Sequence, residues 1–139
     1  MNALTRDLEG LTKSAEACAD GKDRFRQKLH LMPPTGWLND PNGLCQFKGI
    51  YHAFFQYSPF NATGGLKMWG HYTSRDMIEC KYEGVSLYPD QPFDCHGVYS
   101  GSAFIEDGTI ANNIPIFCPT LPSCPGVSLR PSIRVRICS

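Results

Sequence analysis

Eight consecutive residues, Gly36-Trp37-Leu38-Asn39-Asp40-Pro41-Asn42-Gly43, set an indole, an amide and a carboxylate beside a forced turn. Pro41 fixes its own φ and biases Asp40 away from the helical region, so the carboxylate is expected on an extended segment that then turns sharply. Asn42-Gly43 supplies residues that tolerate the rest of such a turn. Taken alone, Asp-Pro-Asn-Gly also fits a type I turn in which the aspartate only hydrogen-bonds the backbone. Trp37 and Asn39 point to chemistry. An aromatic face beside convergent polar groups offers a stacking surface and hydroxyl partners, which is what a sugar site requires.

Three later runs carry further candidates. Gln56 follows Phe54-Phe55, and its neutral amide both donates to and accepts from hydroxyls, although a lone Gln is more often a strand-end surface residue. Trp69-Gly70-His71 holds the second tryptophan, for which a core position is the plain alternative. His71 is read as a satisfied core residue. Tyr99-Ser100-Gly101-Ser102 has small residues that suit either a ligand contact or close strand packing.

Together these segments resemble the N-terminal signature of the invertase-type glycoside hydrolases of family 32, with His30-Leu31-Met32-Pro33-Pro34-Thr35 most like the intracellular bacterial sucrose-6-phosphate hydrolase branch. The resemblance implies a retaining β-fructofuranosidase in which Asp40 is the nucleophile. Trp37, Leu38, Asn39, Gln56, Trp69, Tyr99 and Ser100 would contact the sugar, with the Trp69 indole lining the pocket. Asn39 would bond sugar hydroxyls and help hold Asp40 ionised. Retention requires two carboxyl groups about 5 Å apart. No metal or cofactor is implied, because two carboxyl groups suffice. The family's acid/base glutamate lies in a Glu-Cys pair, but Glu79-Cys80 falls between two strands of the first blade and is not assigned that role. Neither Arg6-Asp7 nor Arg75-Asp76 is followed by proline, so the family's Arg-Asp-Pro element is missing. Asp90 and Asp94 are read as turn residues. The chain therefore holds the nucleophile half of such a site. Hydrolysis by this polypeptide alone is expected to be negligible, and the rival readings are a non-catalytic sugar-binding fragment or a truncated product without function.

The elements that must position these groups follow from the hydrophobic pattern. Residues 3–19 read as one amphipathic helix with Leu4, Leu8 and Leu11 at helical spacing, stopped by Asp20-Gly21-Lys22, and serving as a packing arm. Arg24, Arg26 and Lys28 alternate with apolar residues in an extended lead-in, as a solvated face. From Gly43 the period becomes two. Strands are expected at Leu44–Phe47, Ile50–Tyr57, Lys67–Ser74, around Gly84–Tyr88, and at Val98–Ile105, with turns at Lys48-Gly49 and Glu106-Asp107-Gly108. Such a meander suits a propeller blade, and a sandwich fits the same hairpins. The resemblance implies the former. The expected class is all-β, the first blade and the opening of the second in a five-bladed β-propeller, preceded by a short helix.

Three regions result: 1–27 as helical arm and lead-in, 28–110 as the partial propeller, and 111–139 as an atypical tail. The tail holds five prolines, three cysteines and no acid, so it is expected not to continue the blade, as though the reading frame shifts near residue 110.

Composition sets the outer bounds. The 139 residues are 42% hydrophobic and 19% charged, values of a globular chain. Formal net charge is zero, which leaves no basic footprint for nucleic acid. The balance is uneven, with 10 Lys+Arg against 13 Asp+Glu in residues 1–110 and three Arg without acids beyond. No apolar run reaches the roughly 18 residues of a membrane span, and the N-terminus lacks a secretory pattern. None of the seven cysteines forms a Cys-x-x-Cys pair. Reduced thiols and a cytoplasmic location are expected, with a small-molecule sugar as the partner and neither nucleic acid nor membrane. Asn61-Ala62-Thr63 matches a glycosylation sequon and reads as an unmodified loop.

Overall fold

The structure, a computed structural model, describes residues 2–19, 24–27, 29–92, 94–114 and 133–136. One helix, α1 (Ala3–Cys18), precedes seven strands: β1 (Trp37–Phe47), β2 (Ile50–Ser58), β3 (Met68–Ser74), β4 (Cys80–Leu87), β5 (Ser102–Glu106), β6 (Thr109–Ile114) and β7 (Ile133–Arg136). Strands β1 to β4 form an antiparallel meander in chain order, and β5-β6-β7 form a second antiparallel sheet. The Lys48-Gly49 turn joins β1 to β2 with positive φ at both residues (48° and 79°), the twist-compatible form of a two-residue hairpin.

Alternation along β2 divides the interior in two. Phe54 shares one face with Trp69, Leu87, Val98 and Ile110, so the second sheet supplies part of that core. Phe55 and Tyr57 face the other way and pack with Tyr72, Tyr82, Leu38 and Val85. Helix α1 covers this second face. Glu16 Oε1 accepts from Tyr57 Oη at 3.2 Å and Tyr82 Oη at 2.8 Å, while Thr12 Oγ1 donates to Met68 Sδ at 3.6 Å.

The helix differs from expectation in its packing stripe. Leu8 and Thr12 are buried, whereas Leu4 and Leu11 are 49% and 59% exposed, because the sheet meets the helix along the line Leu8–Thr12–Glu16. Asn2 caps its start by accepting from Thr5 N at 2.7 Å, and Asp90 ties that end to the loop after β4 through Thr5 Oγ1. The expected stop at residues 20–22 lies outside the described residues.

Two corrections concern strand limits. The run read as a turn before Leu44 is part of β1, which starts at Trp37. At the other end, the boundary at residue 110 falls inside a strand: Ile110 pairs with Ile105 and Ala111 with Phe104, and both Ile110 and Ala111 are buried. Proline does limit this region, but the stretch before Pro115 is free of it and completes the hairpin with β5, as the stretch after Pro131 forms β7. Residues 115–132 and 137–139, where most of the atypical tail falls, lie outside the described residues.

His71 sits within the first core, stacked on Phe54 with ring centroids 4.3 Å apart and its Nε2 3.0 Å from His52 Nδ1. Burial, followed by the neighbouring His52 and opposed by Glu83, lowers its pKa from 6.5 to about 4. The unfolded chain therefore binds a proton between those values that the folded chain refuses. Urea midpoints are expected to hold above pH 6.5 and to drop as pH falls from 6.5 toward 4, and His71→Gln is expected to flatten that slope. Gly70 offers a second check: a Cβ there would lie 2.2 Å from Phe55 Cζ, at the outer end of the ring. Gly70→Ala is expected to destabilise by about 1–3 kcal/mol in the same assay through overpacking.

Candidate active site

Asp40 is the extra residue of a bulge. In the β1–β2 ladder Asn39 pairs with Gln56 and Pro41 with Phe55, which leaves Asp40 without a partner between them. A second irregularity lies between Asn42 and Cys45. Proline tolerates such a place because no ladder donor is required of it. Asp40 takes φ of 42°, in the left-handed region rather than the extended one expected from Pro41, and Asn42 Nδ2 secures the bend by donating to the Asp40 carbonyl at 2.7 Å. Gly43, at φ of 57°, leaves room for Phe54 and Trp69, whose ring atoms would lie 2.9 Å and 3.3 Å from an added Cβ.

Around the exposed carboxylate runs a directed chain of hydrogen bonds. Trp37 Nε1 donates to Asn39 Oδ1 at 3.1 Å, and Asn39 Nδ2 donates to Gln56 Oε1 at 2.6 Å. Gln56 Nε2 donates to Ser100 Oγ at 2.9 Å, and Ser100 Oγ donates to Asp40 Oδ2 at 3.0 Å. Asp40 Oδ1 has no partner among the described residues. One carboxylate oxygen is thus oriented and the other is left open, an arrangement suited to nucleophilic attack.

Ser100 reaches this position because the segment before it is fixed to β3. Val98 N donates to Lys67 O at 2.8 Å, and Trp69 Nε1 donates to Tyr99 O at 3.0 Å. Gly97 lies so close to Lys67 that an added Cβ would come within 3.1 Å of its backbone nitrogen.

The structure thus joins Trp37, Asn39, Asp40, Gln56 and Ser100 in one network and treats three other candidates differently. Trp69 is fully buried, so its indole belongs to the core and holds Tyr99 rather than lining an open pocket. Leu38 packs against the Phe55–Tyr57 cluster, on the opposite face from Trp37 and Asn39, as the two-residue period requires. Tyr99 contributes its carbonyl to this arrangement. Asn39 bonds to Trp37 and Gln56, not to Asp40, so its action on the carboxylate passes through Gln56 and Ser100. Asp90 holds α1, Asp94 accepts from Gln91 N at 2.8 Å, and exposed Glu79 lies in the β3–β4 loop. Sequence reasoning passed over Asn42 as a site residue. Its position one step past an Asx-Pro pair is the available signal, since Asn side chains bond backbone two residues away. Among the described residues no group of three or more His, Cys, Asp or Glu is placed to hold a metal ion.

The geometry has a counterpart in known proteins. Residues 30–118 match the model of the glycosyl hydrolases family 32 N-terminal domain. The chain belongs to that family. Sucrose-6-phosphate hydrolase of Bacillus subtilis is 52% identical over 85 residues, covering 61% of this chain and 18% of that protein. The structure of sucrose-6-phosphate hydrolase from Lactobacillus gasseri superposes with a TM-score of 0.68 at 35% identity, covering 78% of this chain and 22% of that one. A family 32 β-fructofuranosidase of Bombyx mori gives a TM-score of 0.69 at 26% identity, over 97% of this chain and 27% of its own. The chain therefore spans about a fifth of the length of the curated relatives it matches. In this frame β1–β4 is the first blade of the family 32 propeller, and β5 and β6 open the second.

Gln56 is the middle of the hydrogen-bond chain and is 3% exposed. Gln56→Leu is expected to leave Asn39 Nδ2 and Ser100 Oγ without these partners and to cost about 1–3 kcal/mol of stability. Nuclear magnetic resonance should show the Trp37 indole N–H shifting in step. A variant with wild-type stability and an unmoved indole signal would contradict the network.

Proposed function

We propose that this chain carries the nucleophilic half of a retaining β-fructofuranosidase site, with Asp40 forming the covalent fructosyl intermediate. One observation carries the reading: four donors in series, starting at the 40%-exposed Trp37, end on Asp40 Oδ2 and leave Oδ1 open. The substrate is a terminal fructofuranoside, sucrose or its 6-phosphate. Trp37 supplies the stacking face, and Asn39 and Gln56 fix the amide edges that meet hydroxyls. Oδ1 attacks the anomeric carbon as the glycosidic bond breaks, and Ser100 keeps the carboxylate turned toward it. The leaving oxygen requires a proton from a second carboxyl group. No described carboxylate shares the Asp40 network, so that acid is assigned to the length of the relatives that this chain does not span. General acid catalysis contributes roughly 10²–10⁴ in rate, and the isolated chain is therefore a poor hydrolase. Four thiols among the described residues, Cys18, Cys45, Cys80 and Cys95, are free, which suits a reducing cytoplasm.

An activated substrate separates attack from acid assistance. Fructofuranosyl fluoride expels fluoride without protonation, so Asp40 is expected to acquire one fructosyl group while sucrose is left intact. Peptide mass spectrometry should place the added anhydrohexose on the peptide containing Asp40, and Asp40→Ala should abolish it. A chain that binds sucrose in calorimetry yet never acquires the adduct would be a sugar-binding fragment without this chemistry.

A further inference from the structure

Asp40 lies between two neighbours that pull its backbone in opposite directions. Pro41 drives the residue before it toward extended backbone. Asp40 nevertheless takes φ of 42°, in the left-handed region that L-residues enter at a cost. As the extra residue of the bulge it has no ladder partner to hold it there, and it is exposed, so packing does not clamp it. The hydrogen bond from Asn42 Nδ2 to the Asp40 carbonyl, 2.7 Å long, spans the bend and closes it.

Asn42 occupies its own place at a cost. It pairs with Phe54, two residues before Gln56 on β2, so its side chain shares the face of the hydrogen-bond chain, one row further along. There Asn42 Oδ1 is buried and has no partner among the described residues. A buried acceptor left unpaired is destabilising, and an apolar side chain of similar size would avoid that penalty. The other end of the amide accounts for its presence, since it is spent on the main chain of the nucleophile.

We infer that Asn42 is a positioning residue for the nucleophile: its amide latches the Asp40 backbone in the left-handed bend and so aims Oδ1 at the anomeric carbon. The inference rests on the proposed function and adds to it the residue that sets the direction of attack. Ser100 fixes the rotation of the carboxylate, and Asn42 fixes the bend from which it projects. Without the latch, Pro41 returns Asp40 toward extended backbone, and the carboxylate swings aside while Trp37, Asn39 and Gln56 stay in place. Sugar binding is then kept and attack is lost.

Fructofuranosyl fluoride separates these quantities on the 139-residue chain. Asp40 Oδ1 forms its bond to the anomeric carbon as the carbon–fluorine bond breaks, and fluoride leaves with the electron pair, so no proton is required. The first-order rate of adduct formation at saturation reports aim, calorimetry with sucrose reports binding, and the urea midpoint reports the fold. Asn42→Leu removes the latch and the unpaired acceptor together. It is expected to label Asp40 roughly 100-fold more slowly, the scale of an ångström-sized misplacement, with sucrose affinity and urea midpoint close to wild type. Asn42→Asp keeps the size but cannot donate when ionised, and it is expected to label as slowly, which keeps the test intact where leucine disturbs the fold. A wild-type labelling rate in either variant overturns the inference. Loss of sucrose affinity in step with the rate also overturns it, because Asn42 would then shape the sugar site as a whole. A wild-type chain that never labels removes the proposed function itself, and the inference with it.

Discussion

The orientation of each amide in the site follows from its two ends. An indole N–H can only donate, and an ionised carboxylate can only accept. With Trp37 at one end, Asn39 must accept on Oδ1 and is left with its NH₂ to offer Gln56. Gln56 must then accept on Oε1 and donate onward, and the Ser100 hydroxyl, having accepted, has its one proton for Asp40. No member can reverse without leaving two donors or two acceptors facing each other. Polarity set by a tryptophan thereby fixes the rotamer of a carboxylate that it does not touch.

That chain exists only because the blade keeps its two faces distinct. Phe54 and Gln56 look toward the second sheet, and Phe55 and Tyr57 look toward the helix. The aromatic cluster under α1 makes the meander rigid on one side, so that the other side can present polar groups near its end. Between the sheets, Trp69 works as a strut. Its ring fills the core while its N–H anchors the segment that carries Ser100. Burial and hydrogen bonding in one side chain thus tie the first blade to Ser100, the member of the network that comes from outside it.

Much of this was legible in the residues. Alternation and Gly-containing turns marked β2, β3 and both hairpins, because period two and left-handed turn residues are local signals. Asn39, Gln56 and Ser100 were recognisable as candidates one at a time. Their union was not, since it depends on ladder register and on the 97–100 segment docking against Lys67. The Asp40 bulge was hidden for a different reason. Proline and Asn-Gly mark a turn and a bulge with the same chemistry, and only the distant pairing of Trp37–Asn39 with Gln56–Ser58 decides between them. The burial of Trp69 was hidden in the same way, as it comes from Val98, in the segment before β5, and from Ile110 in the second sheet. The strand at Thr109–Ile114 was obscured by the prolines that follow it, which limit its length without preventing it.

The two irregularities in β1 also make that strand a counting device. Each inserts one residue, so the two together return the later part of the strand to the parity of its beginning: Asn39 faces Gln56, and Cys45 faces His52, on one side of the sheet. Losing a single residue between Asn39 and Asn42 would exchange inside for outside along the whole N-terminal part of β1. Leu38 would turn toward the face that holds Gln56 and Asn39 toward the helix. Substitutions here degrade one contact at a time. A change in length acts on all of them at once, and the spacing of this segment is therefore under tighter constraint than any one of its side chains.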